Sequence, residues 1–405
     1  MKRRDFAKSL VATALAGAAL PTRSEAAAEV KVGAPLVLSG STAEIGQTAL
    51  QGLEMAVDDL NAKGGLLASR IAIVKGDDGG SPATANTLTR NMILTDGVKA
   101  IFGASNSATG SAEEALAGRY RVPMLFYGGN DISTTTTNFN KYAFQTQATT
   151  YMEPRAIALY VAKLNLKRVF TITPDYNFGR SYVSNFIAGL KENGITPDVV
   201  GQQYPPLGTT DFSSYISAAL SAKPDFLFLG IFAGDLVTFI RQAKGYGLFG
   251  KVMTGGPTAT DTILAMKGDT PAGMILWGRA PFFAMHGHGI EAFVADYNKK
   301  FKAWPSEWPI LAYASVQIWA AGVKKAGTLD GTRVADALSG ATIDTIRGDL
   351  TFRTCDHQAN ASTYIGKVAV KVDPKYGFPL LEDVSIIGAA KTMMSCKMAE
   401  SLQHR

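Results

Sequence analysis

The segment Val30-Lys-Val-Gly-Ala-Pro-Leu-Val-Leu38 is almost wholly apolar and predicts a buried β-strand. Apolar residues then recur at helical spacing from position 47 to position 61, and Gly64-Gly65 ends this predicted helix. Ile71-Ala-Ile-Val74 predicts a second strand. A strand, a helix and a second strand in this order form a βαβ unit, in which the two strands lie parallel. This part of the chain therefore predicts an α/β fold.

The same alternation continues along the chain in two runs. The first run continues with helices at 83–95 and 112–119 and strands at 99–102 and 122–126. A stretch rich in Thr and Asn (134–140) follows it. The second run has helices at 153–164, 181–193, 212–222 and 236–245 and strands at 169–173, 199–204, 226–229 and 274–277. Two runs that meet near residue 150 predict two α/β lobes with parallel sheets.

The remaining third of the chain has a different pattern. Helices are predicted at 290–301, 311–326 and 333–338, and strand-like segments at 349–353, 364–372 and 381–386. These segments do not alternate as βαβ units do. We expect the region to be shared between the two lobes.

The composition excludes several classes of protein. Of the 405 residues, 46% are hydrophobic and 18% are charged, which is too apolar for a disordered chain or a coiled coil. The formal net charge is +6, but residues 1–28 hold five basic and two acidic residues, so their removal leaves +3. A surface with so small an excess of charge does not indicate a nucleic-acid partner.

The first 28 residues have the features of an export signal. A basic start is followed by a twelve-residue apolar run (9–20), which is too short to span a bilayer, and by small residues up to Ala28. Arg3-Arg4 with Phe6 and Lys8 resembles the twin-arginine signal, although an ordinary secretory signal with two arginines is the alternative. We expect cleavage near Ala26 to Ala28, release into the periplasm and no membrane span.

Motifs of common enzymes and metal sites do not occur in the sequence. The loop after the first strand (39–46) lacks GxGxxG spacing, and there is no Walker A loop, GxSxG elbow or HExxH motif. His286 and His288 alone do not form a metal site, and we expect them at the surface. We therefore predict no catalytic residue, no metal and no cofactor.

The two cysteines, Cys355 and Cys396, belong to a chain that is predicted to be exported. In an oxidising compartment a disulfide is expected between them rather than a catalytic thiol. Closing their 41-residue separation stabilises the folded state by roughly 4 kcal/mol in the chain-entropy model.

Two polar, Gly-rich loops follow neighbouring predicted strands. The loop 103–110 leads into the helix predicted near Ala112, and the loop 126–133 follows the next strand. Ligands of open α/β sheets bind beyond the carboxyl ends of the strands, often at helix N-termini. An isolated loop of this type is explained by helix capping alone, but two adjacent loops favour an anion site.

Several segments resemble the periplasmic leucine/isoleucine/valine-binding family of ABC importers. They are Leu38-Ser-Gly40 with Gly46, Ala56-Val-Asp-Asp-Leu-Asn-Ala-Lys-Gly-Gly65 and Ile73-Val-Lys-Gly-Asp-Asp78. The match runs through most of the chain after residue 28. It implies a type I periplasmic-binding fold, in which two doubly wound parallel-sheet lobes are joined by three hinge crossings.

The resemblance also implies lobe boundaries. The crossings are expected near 149–151, 278–280 and 352–354. Residues 29–149 and 279–352 then form the N-terminal lobe, and residues 150–278 and 353–405 form the C-terminal lobe.

The family pattern implies which residues contact a ligand. The Ser107 hydroxyl and the backbone of Gly128 are expected to hold a ligand carboxylate, and the Asn130 amide could still donate. Apolar and aromatic residues occur where the family often has tyrosines. The complete predicted set is Ile45, Ser107, Gly128, Asn130, Tyr151, Phe178, Phe232 and Thr258.

One position departs from the family pattern. Thr258 lies where amino-acid receptors usually carry an acid for the ligand ammonium, and a buried ammonium without a paired charge would be costly. Either Asp131, Asp175 or Asp261 replaces that acid, or the ligand has no ammonium.

The resemblance implies a monomeric periplasmic protein that captures a small carboxylate by hinge closure and delivers it to an ABC permease. The carboxylate is a hydrophobic amino acid, or an aromatic or aliphatic acid without an ammonium. A periplasmic sensor of the same fold, signalling to a membrane partner, is the alternative function.

Overall fold

The computed structural model describes residues 29–404. The predicted signal peptide (1–28) lies outside the described residues. The chain alternates strands and helices through its first two thirds, as the sequence pattern predicts, and builds two separate main sheets.

The first sheet has five parallel strands in the order β2-β1-β3-β4-β5. Its elements are β1 (Glu29–Leu36), α1 (Ala43–Ala62), β2 (Arg70–Asp77), α2 (Pro82–Leu94), β3 (Ile101–Gly103), α3 (Ser107–Tyr120), β4 (Met124–Phe126) and β5 (Ala143–Gln145). Val32 and Leu36 of the first strand are fully buried, because helices cover both faces of a parallel sheet.

The second sheet continues the alternation with five more parallel strands. Its elements are α4 (Met152–Lys163), β6 (Arg168–Ile172), α5 (Asn177–Glu192), β7 (Asp198–Gln203), α6 (Ser213–Ala222), β8 (Phe226–Leu229), α7 (Ala233–Gly245), β9 (Met253–Gly256), α8 (Ala259–Met266) and β10 (Ile275–Gly278). The apolar runs at 226–229 and 274–277 thus form two inner strands of this sheet, with β9 between them.

The remaining third of the chain contributes to both parts of the molecule. It comprises α9 (Ile290–Phe301), α10 (Glu307–Ala326), α11 (Gly331–Leu338), β11 (Thr342–Thr345), β12 (Gly348–Thr351), β13 (Thr363–Val372), β14 (Pro379–Ile387) and α12 (Cys396–Gln403). Helix α10 packs against α1 beside the first sheet. Strand β13 pairs antiparallel with β10, so the second sheet has the order β14-β13-β10-β9-β8-β6-β7.

The chain passes between the two sheets three times. It leaves the first sheet after β5, returns after β10 and leaves again after β12. This is the two-lobed α/β architecture with three crossings that the resemblance implies. The antiparallel addition of β13 and β14 extends the second sheet beyond its parallel part.

Several helices begin earlier than their apolar spacing indicates. Helix α3 begins at Ser107 and not near Ala112, because the Asn106 side chain caps it by accepting from the N–H groups of Ala108 and Thr109 at 2.9 and 3.0 Å. Helix α5 begins at Asn177, four residues before its predicted start. Small and polar residues in the first turn carry no hydrophobic period, so the pattern shows only the later turns.

A disulfide joins Cys355 to Cys396, as predicted, with the two Cα atoms 5.8 Å apart. It ties the segment after β12 to the start of α12. The Gln403 side chain in α12 donates to the Cys355 carbonyl at 2.9 Å and strengthens the same attachment.

Within residues 29–404, no helix combines the length and the apolar character that crossing a membrane requires.

Candidate ligand-binding site

A cavity lies between the two sheets, at the carboxyl ends of their strands. We call it the central cavity. It is lined by Ile45, Ser105, Asn106, Ser107, Gly128, Gly129, Asn130, Tyr176, Phe178, Phe232, Pro257, Thr258, Arg279 and Trp308. Seven of the eight predicted contact residues are among them. Tyr151 is the exception.

The first sheet contributes a polar wall. Ser107 is the first residue of α3, and the Asn106 cap satisfies the two amides that follow it. The Asn130 N–H donates to Ser107 Oγ at 3.3 Å, which leaves the hydroxyl proton of Ser107 free to donate. An N-terminal helix turn with a serine hydroxyl is a suitable place for a carboxylate.

Gly128 allows the loops after β3 and β4 to approach each other closely at this wall. A Cβ atom at position 128 would lie 2.3 Å from the Ala104 carbonyl oxygen, which no real side chain tolerates. The backbones of the loops after β3 and β4 are therefore in direct contact, with Gly128 next to Ala104 and Ser105 and with Gly129 next to Ser107.

Asn130 has a different role from the predicted one. Its Nδ2 donates to the Ala148 carbonyl at 2.9 Å and lies 3.4 Å from Glu153 Oε2. Both amide protons thus point into the protein. Asn130 stabilises the loop and does not donate from its amide into the cavity.

The second sheet contributes an aromatic wall. The rings of Phe178 and Phe232 meet edge to face with centroids 5.7 Å apart, and Tyr176 stacks on Phe178 at the same separation. Phe178 lies in the first turn of α5, and Phe232 directly precedes α7. Tyr176 was not among the predicted residues, although its position between β6 and α5 is where ligand contacts concentrate in α/β sheets.

Tyr151 lies outside the central cavity. It precedes α4, and the Arg155 guanidinium lies over its ring at 3.6 Å from the centroid. This cation–π contact holds the ring against the helix of its own lobe.

Arg279 is the only charged side chain among the residues that line the cavity, and it was not predicted. It follows β10 directly and is 7% exposed. Its Nη2 donates to Glu153 Oε2 at 3.1 Å, and its backbone N–H donates to Glu307 Oε2 at 2.6 Å. Burial lowers the pKa of the guanidinium, but the Glu153 carboxylate, its hydrogen bond and the Glu307 carboxylate together raise it more, so the pKa stays above its usual value and Arg279 remains charged.

None of the three aspartates considered as partners for an ammonium lines the cavity. Asp131 Oδ1 accepts from the Ser133 N–H at 2.9 Å, and Asp175 forms an exposed ion pair with Arg180. Asp261 is buried in α8, where burial and the nearby Glu307 carboxyl raise its pKa well above the usual value. The residues that line the cavity thus include no carboxylate that could pair with an ammonium.

The predicted surface histidines are exposed, with side-chain exposures of 83% for His286 and 43% for His288. His288 Nδ1 lies 2.6 Å from Asp344 Oδ1, and Asp349 completes a group of three potential metal ligands within 4.8 Å. Sequence spacing did not show this group because the two aspartates lie on the β11–β12 hairpin. All three side chains are exposed and lie outside the central cavity, so we assign no metal to them.

A family model described as "Periplasmic binding protein" matches residues 29–373. The chain belongs to the periplasmic binding protein family. The binding protein is 28% identical over 348 residues to the Leu/Ile/Val-binding protein homolog 7 of Brucella suis, covering 82% of this chain and 85% of the relative. It is 24% identical over 329 residues to the Leu/Ile/Val/Thr-binding protein of Salmonella typhimurium, covering 80% and 87%. The predicted resemblance to the leucine/isoleucine/valine-binding type is confirmed.

Two solved structures have the same fold as the binding protein. One is a solute-binding protein of an ABC transporter from Rhodopseudomonas palustris in complex with 3,4-dihydroxy benzoic acid, with a TM-score of 0.80, 24% identity and coverage of 89% and 98%. The other is the branched-chain amino acid transporter substrate-binding protein of Streptococcus pneumoniae in complex with isoleucine, with a TM-score of 0.77, 21% identity and coverage of 89% and 99%. The type I periplasmic-binding fold is confirmed. The family is one of solute-binding proteins and not of enzymes, in agreement with the missing catalytic motifs.

Proposed function

We propose that this binding protein captures a small carboxylate with an apolar or aromatic body and no ammonium group. The observation that carries the proposal is the charge of the central cavity: Arg279 is the one charged residue in its lining, and no carboxylate lines it. An ammonium buried there would have no carboxylate in the lining as a counter-charge, which is costly. A carboxylate has complementary groups on the first wall.

The remaining lining suits such a ligand. Ser107 and Gly128 form the proposed carboxylate cradle, and Ile45, Phe178 and Phe232 provide apolar contact on either side.

Solved structures of this fold hold ligands of both classes, acids without an ammonium and amino acids. One solved structure of this fold holds a dihydroxybenzoic acid and another holds isoleucine. The absence of an acid from this chain's cavity favours the first class.

Capture proceeds through closure of the two lobes. The lobes are proposed to comprise residues 29–149 with 279–352 and residues 150–278 with 353–405. The ligand contacts the polar wall of one and the aromatic wall of the other. Contacts to both walls stabilise the closed state, since a ligand shifts the equilibrium by its differential affinity. The closed monomer would deliver the ligand to an ABC permease from the periplasm, after removal of residues 1–28.

A thermal-shift screen with matched ligand pairs tests this proposal. Each pair joins an amino acid to its deaminated counterpart: leucine with 4-methyl-2-oxopentanoate, and phenylalanine with phenylpyruvate, beside benzoate. Only the acids without an ammonium should raise the melting temperature, because a ligand that binds the native state stabilises it by mass action. Stabilisation by leucine and not by its oxo acid would refute the proposal.

A further inference from the structure

Two buried polar atoms in the loops after β9 and β10, both in residues that line the central cavity, have no hydrogen-bond partner within residues 29–404. They are Arg279 Nε and Thr258 Oγ1, in residues that are 7% and 5% exposed. Unsatisfied buried polar groups are rare in native proteins, and each calls for an explanation. Both atoms belong to residues that line the same cavity, so a bound molecule is one source of the missing partners.

The two residues come from adjacent strands. Thr258 follows β9, which ends at Gly256, and Arg279 follows β10, which ends at Gly278. These strands pair in parallel, with Gly256 opposite Leu276, and neighbouring strands lie about 4.8 Å apart. Thr258 and Arg279 therefore form one polar patch on the second sheet, separate from Ser107 and Gly128 on the first.

Trp308 is excluded from this patch as a donor. Its Nε1 has no hydrogen bond within 3.5 Å, but it lies close enough to the buried Asp261 carboxyl to lower the pKa of that group. Its contribution to the cavity is the apolar ring, which lies beside the Arg279 guanidinium at 5.7 Å.

The charge of the patch limits what it can accept. Arg279 is already neutralised by Glu153, whose side chain is 2% exposed, through the 3.1 Å ion pair. A second carboxylate would therefore enter without a free counter-charge, and burying an unbalanced charge is unfavourable. An uncharged oxygen needs only hydrogen bonds, which the Arg279 Nε–H and the Thr258 hydroxyl can supply.

We propose that the ligand carries a second, uncharged oxygen, a hydroxyl or a carbonyl, at the end opposite its carboxylate. Arg279 Nε donates to this oxygen and the Thr258 hydroxyl bonds to it. The inference rests on the proposed function and narrows its substrate class to hydroxy- or oxo-substituted monocarboxylates. Arg279 and Thr258 then determine specificity for the substituent.

Isothermal titration of the full exported chain with matched probes tests the inference. The aromatic probes are benzoate, its 3- and 4-hydroxy and 3- and 4-methyl derivatives, and terephthalate; the aliphatic probes are 4-oxopentanoate, 4-methylpentanoate and glutarate. In the series that binds, aromatic or aliphatic, the acid with the hydroxyl or carbonyl should bind about tenfold or more tightly than its methyl analogue. The dicarboxylate should bind more weakly than the monocarboxylates.

Two variants assign that preference to the patch. Thr258→Val keeps the shape and removes the hydroxyl, and Arg279→Lys keeps the cation beside Glu153 and removes Nε. Each should weaken binding of the oxygen-bearing acid more than binding of its methyl analogue, and so reduce the preference for oxygen over methyl. Thr260→Val is the matched control, because Thr260 is buried with an unpartnered hydroxyl in α8, the helix that Thr258 precedes, but does not line the cavity.

The outcomes separate the two proposals. This inference is wrong and the proposed function stands if carboxylates bind but the oxygen-bearing acid binds no more tightly than its methyl analogue in either the aromatic or the aliphatic series. The same holds if the dicarboxylate binds best. If the preference survives in Thr258→Val and Arg279→Lys, the patch is not its source and the inference is wrong. If no carboxylate binds, the proposed function and this inference both fail.

Discussion

Glu153 and Arg279 lie 126 residues apart in the chain and form an ion pair with side chains 2% and 8% exposed. Glu153 belongs to the first turn of α4, just after the first crossing, and Arg279 follows β10 at the second. Glu153 Oε2 also lies 3.4 Å from Asn130 Nδ2 in the loop after β4. One carboxylate thus connects two crossings with the loop that carries the proposed carboxylate cradle.

Glu153→Gln should destabilise the protein by about 3–5 kcal/mol, because it removes the carboxylate that pairs with the buried Arg279 guanidinium. Urea unfolding at pH 7 measures the change. The matched control is Asp198→Asn, which removes the partner of Arg168 in an exposed pair and should cost no more than about 1 kcal/mol. If the two substitutions lower the free energy of unfolding equally, the buried ion pair contributes no more to stability than the exposed one.

Ser107→Ala should weaken binding of the preferred carboxylate by about 1–3 kcal/mol, because it removes a hydroxyl donor from the cradle. Titration calorimetry measures the affinity. Ser184→Ala is the control: Ser184 lies on α5 with its hydroxyl bonded to the Ser181 carbonyl, and it does not line the cavity. Unchanged affinity in Ser107→Ala would place the carboxylate elsewhere.

Gly128→Ala should destabilise the protein by about 1–3 kcal/mol and weaken ligand binding, since the new methyl group would meet the Ala104 carbonyl oxygen at 2.3 Å and force the two loops apart. Gly388→Ala is the control, because a Cβ at Gly388 would meet no atom within 4 Å and the residue has a φ of −71°. Melting temperatures and titrations of both variants test this, and wild-type behaviour of Gly128→Ala would contradict the close approach.

His357 should make stability depend on pH. The side chain is 4% exposed, its Nδ1 lies 3.2 Å from the Ala143 carbonyl and its Nε2 lies 3.1 Å from Ser339 Oγ. Burial lowers its pKa from 6.5 to about 4. The unfolded chain therefore binds the proton more readily, and the stability contributed by His357 is complete above pH 6.5 and lost as the pH falls toward 4.

Between pH 7 and pH 5 this group should lower the free energy of unfolding by about 2 kcal/mol. Urea unfolding at the two pH values measures the loss in the natural protein and in His357→Gln, in which the loss should be smaller. His286→Gln, at an exposed site, should leave the loss unchanged. A pH dependence that is equal in all three proteins would contradict the prediction.

Most strands were predictable because they are short apolar runs, but β5, β9 and β11 were not predicted. The proposed cradle was inferred from two of the predicted strands. Ser107 and Gly128 come directly after two neighbouring strands, and ligands of α/β sheets bind at strand ends. The same rule points to Arg279, which follows β10 directly. We did not predict Arg279 as a site residue because the sequence around it does not show that it is buried. Its burial depends on the ion pair with Glu153, which is far away along the chain.

Other features depended on contacts that a local pattern does not contain. The first turn of α3 is built from Ser107, Ala108 and Thr109, which have no apolar period, so only the Asn106 cap reveals where the helix begins. Tyr151 has the residue type and the position of a ligand contact. Arg155, one helical turn later, holds its ring away from the cavity.

The disulfide between Cys355 and Cys396 closes a covalent ring that contains β13 and β14 entirely. The turn joining these two strands includes the exposed residues 374, 375 and 377. A protease that cuts this turn would break the chain without releasing its C-terminal part, because both new ends remain attached through the bridge. In an oxidising compartment the edge of the second sheet can thus remain attached after such a cleavage. Under reducing conditions the same cleavage would detach it.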